Sequence, residues 1–388
     1  MESLYVKAFL DEGKDPVPMT LQLHEGIAVS LLPCEERPGE EPLYLSDGFI
    51  DGHAHVYDGA TDLGVSVDRI GYRTGVHLVV DAGSAGAINF PCFRDYVMPA
   101  HETPILTFLN ISRIGLVTKH PYADRRVIDI PAALRCIEAD GGKHILGVKV
   151  LSSGLLVEDA GLEPLRAGVR AARECGLPLM VHLTEGPPAN EDTMPLLEKG
   201  DIITHCFHGA PALAANERAV GALNPAYCHL ANVMWHEDGT PAAPLSAALE
   251  RGALLDVGHG AGSFDCKVAS AVIARGFRRF SISTDAHIRN VNGPVYDLPH
   301  TMSKFLAIGM TLGEVIASVT HIPARQLGLR DWCGQMLRRA TLFSLRAPSR
   351  EDPPFVDFSG KAVGVRQVID PVAVIRDGRW RACDRRRK

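Results

Sequence analysis

Eight short apolar runs, most of them ending in a polar residue, set the strongest constraint on how this chain can fold. They cover residues 48–55, 76–81, 105–110, 145–149, 179–182, 202–205, 253–256 and 280–285. Stretches with helical period lie between several of them. In 164–175, Leu165, Val169 and Ala172 fall on one face and Gly176 follows as a stop; 265–275, closed by Gly276, is another. Strands that alternate with helices imply parallel βαβ units, and near-continuous apolar strands imply a sheet buried on both faces. Eight such units predict a (β/α)8 barrel over 48–326, close to the roughly 250 residues typical of that fold. The flanks, 1–47 and 327–388, contain short alternating segments broken by Gly and Pro, and predict a small β-domain built from both chain ends. The connection 208–252 is long for a barrel loop and reads as an active-site lid or an interface segment.

The polar residues at the run ends carry the chemistry. His53 and His55 end the first run, Lys149 the fourth, His182 the fifth, His205 the sixth and Asp285 the eighth. A barrel displays its catalytic groups at the C-terminal ends of its strands. Alternate side chains on a strand point the same way, so both imidazoles of His53 and His55 can reach one metal ion. A second ion would need two further nitrogens, which His182 and His205 offer. Lys149 reads either as a barrel lysine in an ion pair or as a buried amine whose depressed pKa lets it capture carbon dioxide as a bridging carbamate. Singly, each residue has an ordinary structural reading: a core histidine, an ion-paired lysine, an Asp that caps a helix. Six such groups at the ends of five strands would require several independent coincidences, and the set implies a hydrolytic metal centre. His208, His259 and His287 lie just beyond three of these strands and can touch substrate or support the ligands.

Composition excludes several classes. A hydrophobic fraction of 46% supports a sizeable core, and a net charge of −6 offers no field to hold a phosphate backbone, so no nucleic-acid partner is expected. The basic end, 385–388, reads as a solvated tail. The nine cysteines include no Cys-x-x-Cys pair, and their odd number argues against a full disulfide framework. With no signal-peptide pattern and no run long enough to span a bilayer, the expectation is a cytoplasmic protein without a membrane partner.

The motifs Gly48-Phe-Ile-Asp-Gly-His-Ala-His55, Val148-Lys149, Val181-His182, Thr204-His205 and Ser283-Thr-Asp285 resemble those of the amidohydrolase superfamily, in its dihydroorotase-like branch. A closer likeness covers almost the whole barrel: His55-Val-Tyr-Asp-Gly-Ala-Thr-Asp62, Asp81-Ala-Gly-Ser-Ala-Gly86, Phe108-Leu-Asn-Ile-Ser112, Asp256-Val-Gly-His-Gly260 and Thr301-Met-Ser-Lys304. These look like the amidohydrolase/deacetylase subgroup, whose members remove acyl groups from N-acyl amino acids or O-acyl α-hydroxy acids. The resemblance implies two divalent metal ions, zinc by default. His53, His55 and Asp285 would hold one, His182 and His205 the other, and carboxylated Lys149 would bridge them. It further implies that a bridging hydroxide attacks the acyl carbon and that Asp285 passes its proton to the leaving group.

The chain departs from the pattern in places. Dihydroorotases follow the His-x-His pair with an arginine that grips the substrate carboxylate, whereas this chain has Val56 and Tyr57. The closer subgroup often carries an arginine two residues after the lysine, where Leu151 stands here. Arg113 is the candidate replacement, with Tyr57, His259 and His287 as further candidates for substrate contact. The family's closing Ala-Asp pair is absent from Gly334-Gln-Met-Leu-Arg-Arg-Ala-Thr341. The leading expectation is a binuclear hydrolase of a small acylated carboxylic acid, compatible with a homo-oligomer. The rivals are a cyclic-amide hydrolase of hydantoinase or dihydroorotase type, a mononuclear deaminase on the same barrel, and a non-catalytic scaffold.

Overall fold

A computed structural model describes residues 1–118, 120–209, 229, 230 and 232–384. Two sheets divide the strands. The first is a closed barrel of seven strands: β1 (Glu2–Ala8), β2 (Val17–His24), β3 (Ile27–Pro33), β4 (Leu43–Asp47), β13 (Arg339–Arg346), β14 (Val368–Arg376) and β15 (Arg379–Ala382). Its order is β1-β2-β3-β15-β14-β13-β4, so the two ends of the chain interleave. Val6, Ala8, Leu21, Leu45, Ala340, Leu342, Ala373 and Ile375 fill its interior from alternate positions.

The second sheet has eight parallel strands in sequence order: β5 (Phe49–Ala54), β6 (Val76–Gly86), β7 (Ile105–Asn110), β8 (Ile145–Leu151), β9 (Leu179–His182), β10 (Ile202–Thr204), β11 (Leu254–Asp256) and β12 (Phe280–Ser281). All eleven residues of β6 are buried, as a sheet covered on both faces requires. The seam between β12 and β5 is stitched rather than laddered: Asp285 N donates to His53 O at 2.7 Å, His55 N to Ala286 O at 2.9 Å, and Ala54 bridges Ala286. The barrel is thus nearly closed, the (β/α)8 architecture with a small β-domain that the run pattern implies.

The helices between strands follow their capping chemistry. Glu163–Cys175 buries Leu165, Gly168 and Ala172, and stops at Gly176 in the left-handed region. Asp265 caps Cys266–Ala274 by accepting from Lys267 N and Val268 N. The two barrels meet over stacked rings: Phe343 of β13 lies 5.4 Å from Tyr44, 5.9 Å from Phe49 and 6.3 Å from Phe9.

Several details differ from the sequence expectation. β6 runs five residues past Asp81, and Gly83 on that extension, with φ +86°, passes so close to Lys149 that a Cβ built on it would sit 2.6 Å from Lys149 Cβ. β12 stops at Ser281: Ile282 N turns to Ser318 O, and residues 284–286 bond across the seam to Asp51, His53 and His55. Part of the C-terminal flank leaves the β-domain and lies on the large barrel. Phe355 stacks on His300 at 4.2 Å, Val356 O accepts from Lys304 Nζ at 2.8 Å, and Phe358 N donates to Phe264 O at 3.0 Å. Most of the central part of the 208–252 connection lies outside the described residues, as does the basic tail 385–388. Among the described residues, eight cysteines form no disulfide and no helix is long and apolar enough to cross a membrane.

Candidate metal centre

Strand ends bring His53, His55, Lys149, His182, His205 and Asp285 to one mouth of the large barrel. Ligand atoms of His53, His205 and Asp285 all lie within 4.8 Å of one another. Asp285 Oδ1 is 3.2 Å from His55 Nε2 and 3.4 Å from His53 Nε2. The His182 and His205 rings are 4.2 Å apart, and those of His53 and His205 5.2 Å. His205 and Asp285 hold φ of +65° and +48°, a left-handed backbone that costs about 1–3 kcal/mol in a side-chain-bearing residue. His205 directly follows β10 and Asp285 lies four residues beyond β12, and in both the left-handed turn aims the side chain across the barrel mouth.

Each imidazole has one nitrogen committed to the protein. His53 Nδ1 lies 2.8 Å from Thr204 Oγ1 and 3.3 Å from Asp256 Oδ2. His55 Nδ1 is 2.9 Å from Ser84 Oγ, and His205 Nδ1 is 2.7 Å from Gly258 O. His182 Nε2 is 3.2 Å from Thr184 Oγ1, which leaves its Nδ1 as the nitrogen open to a cation. Such bonds fix tautomer and ring orientation, as ligating histidines require. Gly258, with φ +46°, stands where a Cβ would overlap Thr204 Oγ1 and crowd Nδ1 of His205 at 2.9 Å and of His53 at 3.0 Å.

The electrostatics favour cation binding. Burial, then the charge of Lys149, pushes His53 well below the ordinary histidine value; burial and neighbouring His205 and Lys149 do the same to His182. Burial lowers His205 to about 4 despite the opposing pull of Asp285. The imidazoles of His53, His182 and His205 are therefore neutral donors at pH 7. Burial alone would raise the Asp285 carboxyl, but hydrogen bonding with His55 and the surrounding imidazoles hold it below its usual range. Lys149 Nζ is buried without a hydrogen-bond partner among the described residues, and burial depresses the amine to about 8. A ring of neutral nitrogens, one carboxylate and an orphaned amine fits divalent cations.

Two carboxylates that the sequence reading missed support this ring. Asp256, at the end of β11, accepts from Ser281 Oγ at 2.7 Å and from Thr204 Oγ1 and Ser283 Oγ at 2.8 Å. Asp51 takes Thr284 N at 3.0 Å and Thr284 Oγ1 at 2.5 Å, which anchors the turn that carries Asp285; burial raises it to about 7. Asp51 lies inside an apolar run and Asp256 closes one, positions that carry no spacing signature of their own.

The substrate-contact candidates are placed differently. Tyr57 is buried, stacks on Phe93 at 4.5 Å and donates to Asn89 O at 3.1 Å. His259 stacks on Phe264 at 4.6 Å and holds Lys304 Nζ at 2.9 Å through Nε2. His287, 6.5 Å from the His55 ring, accepts from Arg289 N at 3.2 Å. Arg113 Nη1 lies 3.7 Å from Asp129, with the arginine side chain 41% exposed. His208 is buried, with Nε2 lacking a hydrogen-bond partner among the described residues.

No family model matches the chain. A deacetylase of Brucella anthropi is 36% identical over 297 residues, covering 76% of this chain and 69% of the relative. A deacetylase of Enterococcus faecalis is 31% identical over 344 residues, 87% of each. The fold superposes on a dihydroorotase with a TM-score of 0.79 and 30% identity, over 98% of each chain, and on an adenine deaminase with 0.80 and 28%, over 98% of this chain and 100% of the other. The chain belongs to the amidohydrolase superfamily. As an amidohydrolase it is a metal-dependent hydrolase acting on C–N bonds and takes a small-molecule substrate. The barrel mouth is where an amidohydrolase reacts, at the C-terminal ends of its strands.

Proposed function

We propose that this amidohydrolase removes the acyl group from a small N-acyl amino acid or O-acyl α-hydroxy acid, at a centre of two divalent ions, zinc by default. His53, His55 and Asp285 would hold one ion, His182 and His205 the other, with Lys149, carboxylated, between them. The observation that carries the two-ion reading is the buried Lys149 amine, without a hydrogen-bond partner among the described residues and beside the neutral imidazoles of His53, His182 and His205. An amine at about 8 keeps about a tenth of its population unprotonated at pH 7, far more than an ordinary lysine does, and that fraction can attack carbon dioxide, whereas a structural lysine at this depth would be expected to pair. The deacetylase names of the relatives support the substrate class.

When bound, the ions would supply Lewis-acid polarisation of the acyl carbonyl and a water acidic enough to attack at neutral pH. The chain's own groups do the rest. Asp285 accepts the proton of the attacking water as its oxygen bonds to the acyl carbon, and returns it to the leaving amine or alkoxide as the acyl–heteroatom bond breaks. Asp51, through Thr284, holds the turn of Asp285; Asp256 and Thr204 hold His53. Arg113 is proposed to bind the substrate carboxylate. Its contact with Asp129 is exposed and long, worth at most about 1 kcal/mol, so a substrate can compete for it. Arg113→Ala is expected to raise KM for carboxylated substrates with kcat retained.

The cyclic-amide alternative is favoured by the dihydroorotase-like fold, yet Val56 and Tyr57 are both buried and put no guanidinium beside His55. Zinc-loaded protein should release acyl acid from N-acyl amino acids or O-acyl α-hydroxy acids. Turnover confined to cyclic imides would replace the proposal with the cyclic-amide reading.

A further inference from the structure

A second group of metal-ligating residues lies outside the barrel mouth, where the two domains join. Asp47, His321 and Cys333 each present a ligand atom, and these atoms all lie within 4.8 Å of one another, as do those of His53, His205 and Asp285 at the barrel mouth. They come from three separate segments. Asp47 is the last residue of β4, one residue before the chain enters the large barrel; His321 opens the helix His321–Gln326, where the chain leaves it; Cys333 lies in the turn that returns to β13.

The donors are chemically suited to a cation. Asp47 is 2% exposed, and one carboxylate oxygen is oriented by Gln335 N at 3.2 Å. His321 Nδ1 lies 3.1 Å from Thr320 Oγ1, whose hydroxyl donates to Ile316 O at 2.7 Å and so is placed to accept from the ring. Cys333 is a free thiol. The nearby guanidiniums are engaged elsewhere: Arg325 by both oxygens of Glu12, and Arg339 over the Trp332 ring at 3.8 Å and on the carbonyls of Asp331 and Trp332. A carboxylate, an imidazole and a thiolate make a three-ligand set of the kind zinc takes, with solvent as a fourth ligand.

We propose that Asp47, His321 and Cys333 form a structural zinc-class site that fastens the entry and exit of the large barrel to the β-domain. Binding displaces the thiol proton to solvent and leaves a thiolate–metal bond; no oxidation is involved. The site is independent of the hydrolytic centre, whose candidate ligands include no sulfur, and that difference supplies the test.

Full-length protein stripped of metal and reloaded with cobalt(II) should show a near-ultraviolet thiolate-to-cobalt charge-transfer band. Cys333→Ser and, separately, His321→Gln should abolish or strongly weaken it. Metal content should fall by about one ion per chain in either variant, with hydrolase activity retained and the thermal midpoint lowered only in metal-loaded samples. A missing band in the parent, or a band and metal count unchanged in both variants, overturns the proposal. Soluble, active His321→Gln protein keeps the test valid if Cys333→Ser fails to fold.

Discussion

Lys149 is the residue on which the proposed chemistry turns. Its amine is buried, without a hydrogen-bond partner among the described residues and lowered by burial to about 8, so its reactive neutral form grows as pH rises through that value. Reloading stripped protein with zinc is therefore expected to be promoted by bicarbonate, more so at pH 8.5 than at pH 6.5 when judged by recovered activity against the final metal count. A Lys149→Ala variant should lose most of its bound metal and show no bicarbonate response. Asp285→Asn should keep the fold and lower kcat by about 10²–10⁴, the range for a lost general base, measured as initial rates at saturating substrate. The candidate site was legible at this scale because its residues are polar groups that end apolar runs. Asp51 and Asp256 were not singled out, because an Asp inside or closing such a run has no spacing signature; only their hydroxyl and amide partners reveal that they orient other groups.

Among the elements, strand cores were readable and their ends were not. Apolar β-branched runs mark where a strand is buried, but where it stops depends on neighbours remote in sequence. β6 overruns Asp81 on a stretch where Gly83 passes close beside Lys149, and β12 yields early to Ser318 O and to bonds across the seam. The seven-stranded closure of the small domain was likewise hidden, since it pairs β3 with β15 and β1 with β4 across long separations. Gly258 shows how tightly the turn after β11 is bound to the ligands. A Gly258→Ala variant must relieve both a left-handed backbone and an overlap with Thr204, His205 and His53. A loss of stability of about 1–3 kcal/mol is expected from the backbone alone, read by denaturant titration, together with a reduced metal count.

At the scale of the whole molecule, the C-terminal flank and the large barrel are joined around Lys304. Its ammonium is fully enclosed and donates to Pro294 O and Val356 O at 2.8 Å beside His259, while burial lowers it from 10.5 to about 7. The unfolded chain thus binds more protons than the folded one between about pH 7 and 10.5, so this group makes stability rise with pH across that window, with its full penalty below about 7. Denaturation midpoints of the parent minus those of Lys304→Met should show that slope, and parallel profiles would refute it. The stitched seam has a temporal consequence. Asp51 and Thr284, 233 residues apart, bond to each other beside His53 and Asp285, so the first and last strands must meet before the cleft exists. During synthesis a nascent chain that has not yet released β12 from the ribosome has no complete pocket for an ion, and cofactor acquisition becomes a late event that reports on a finished barrel.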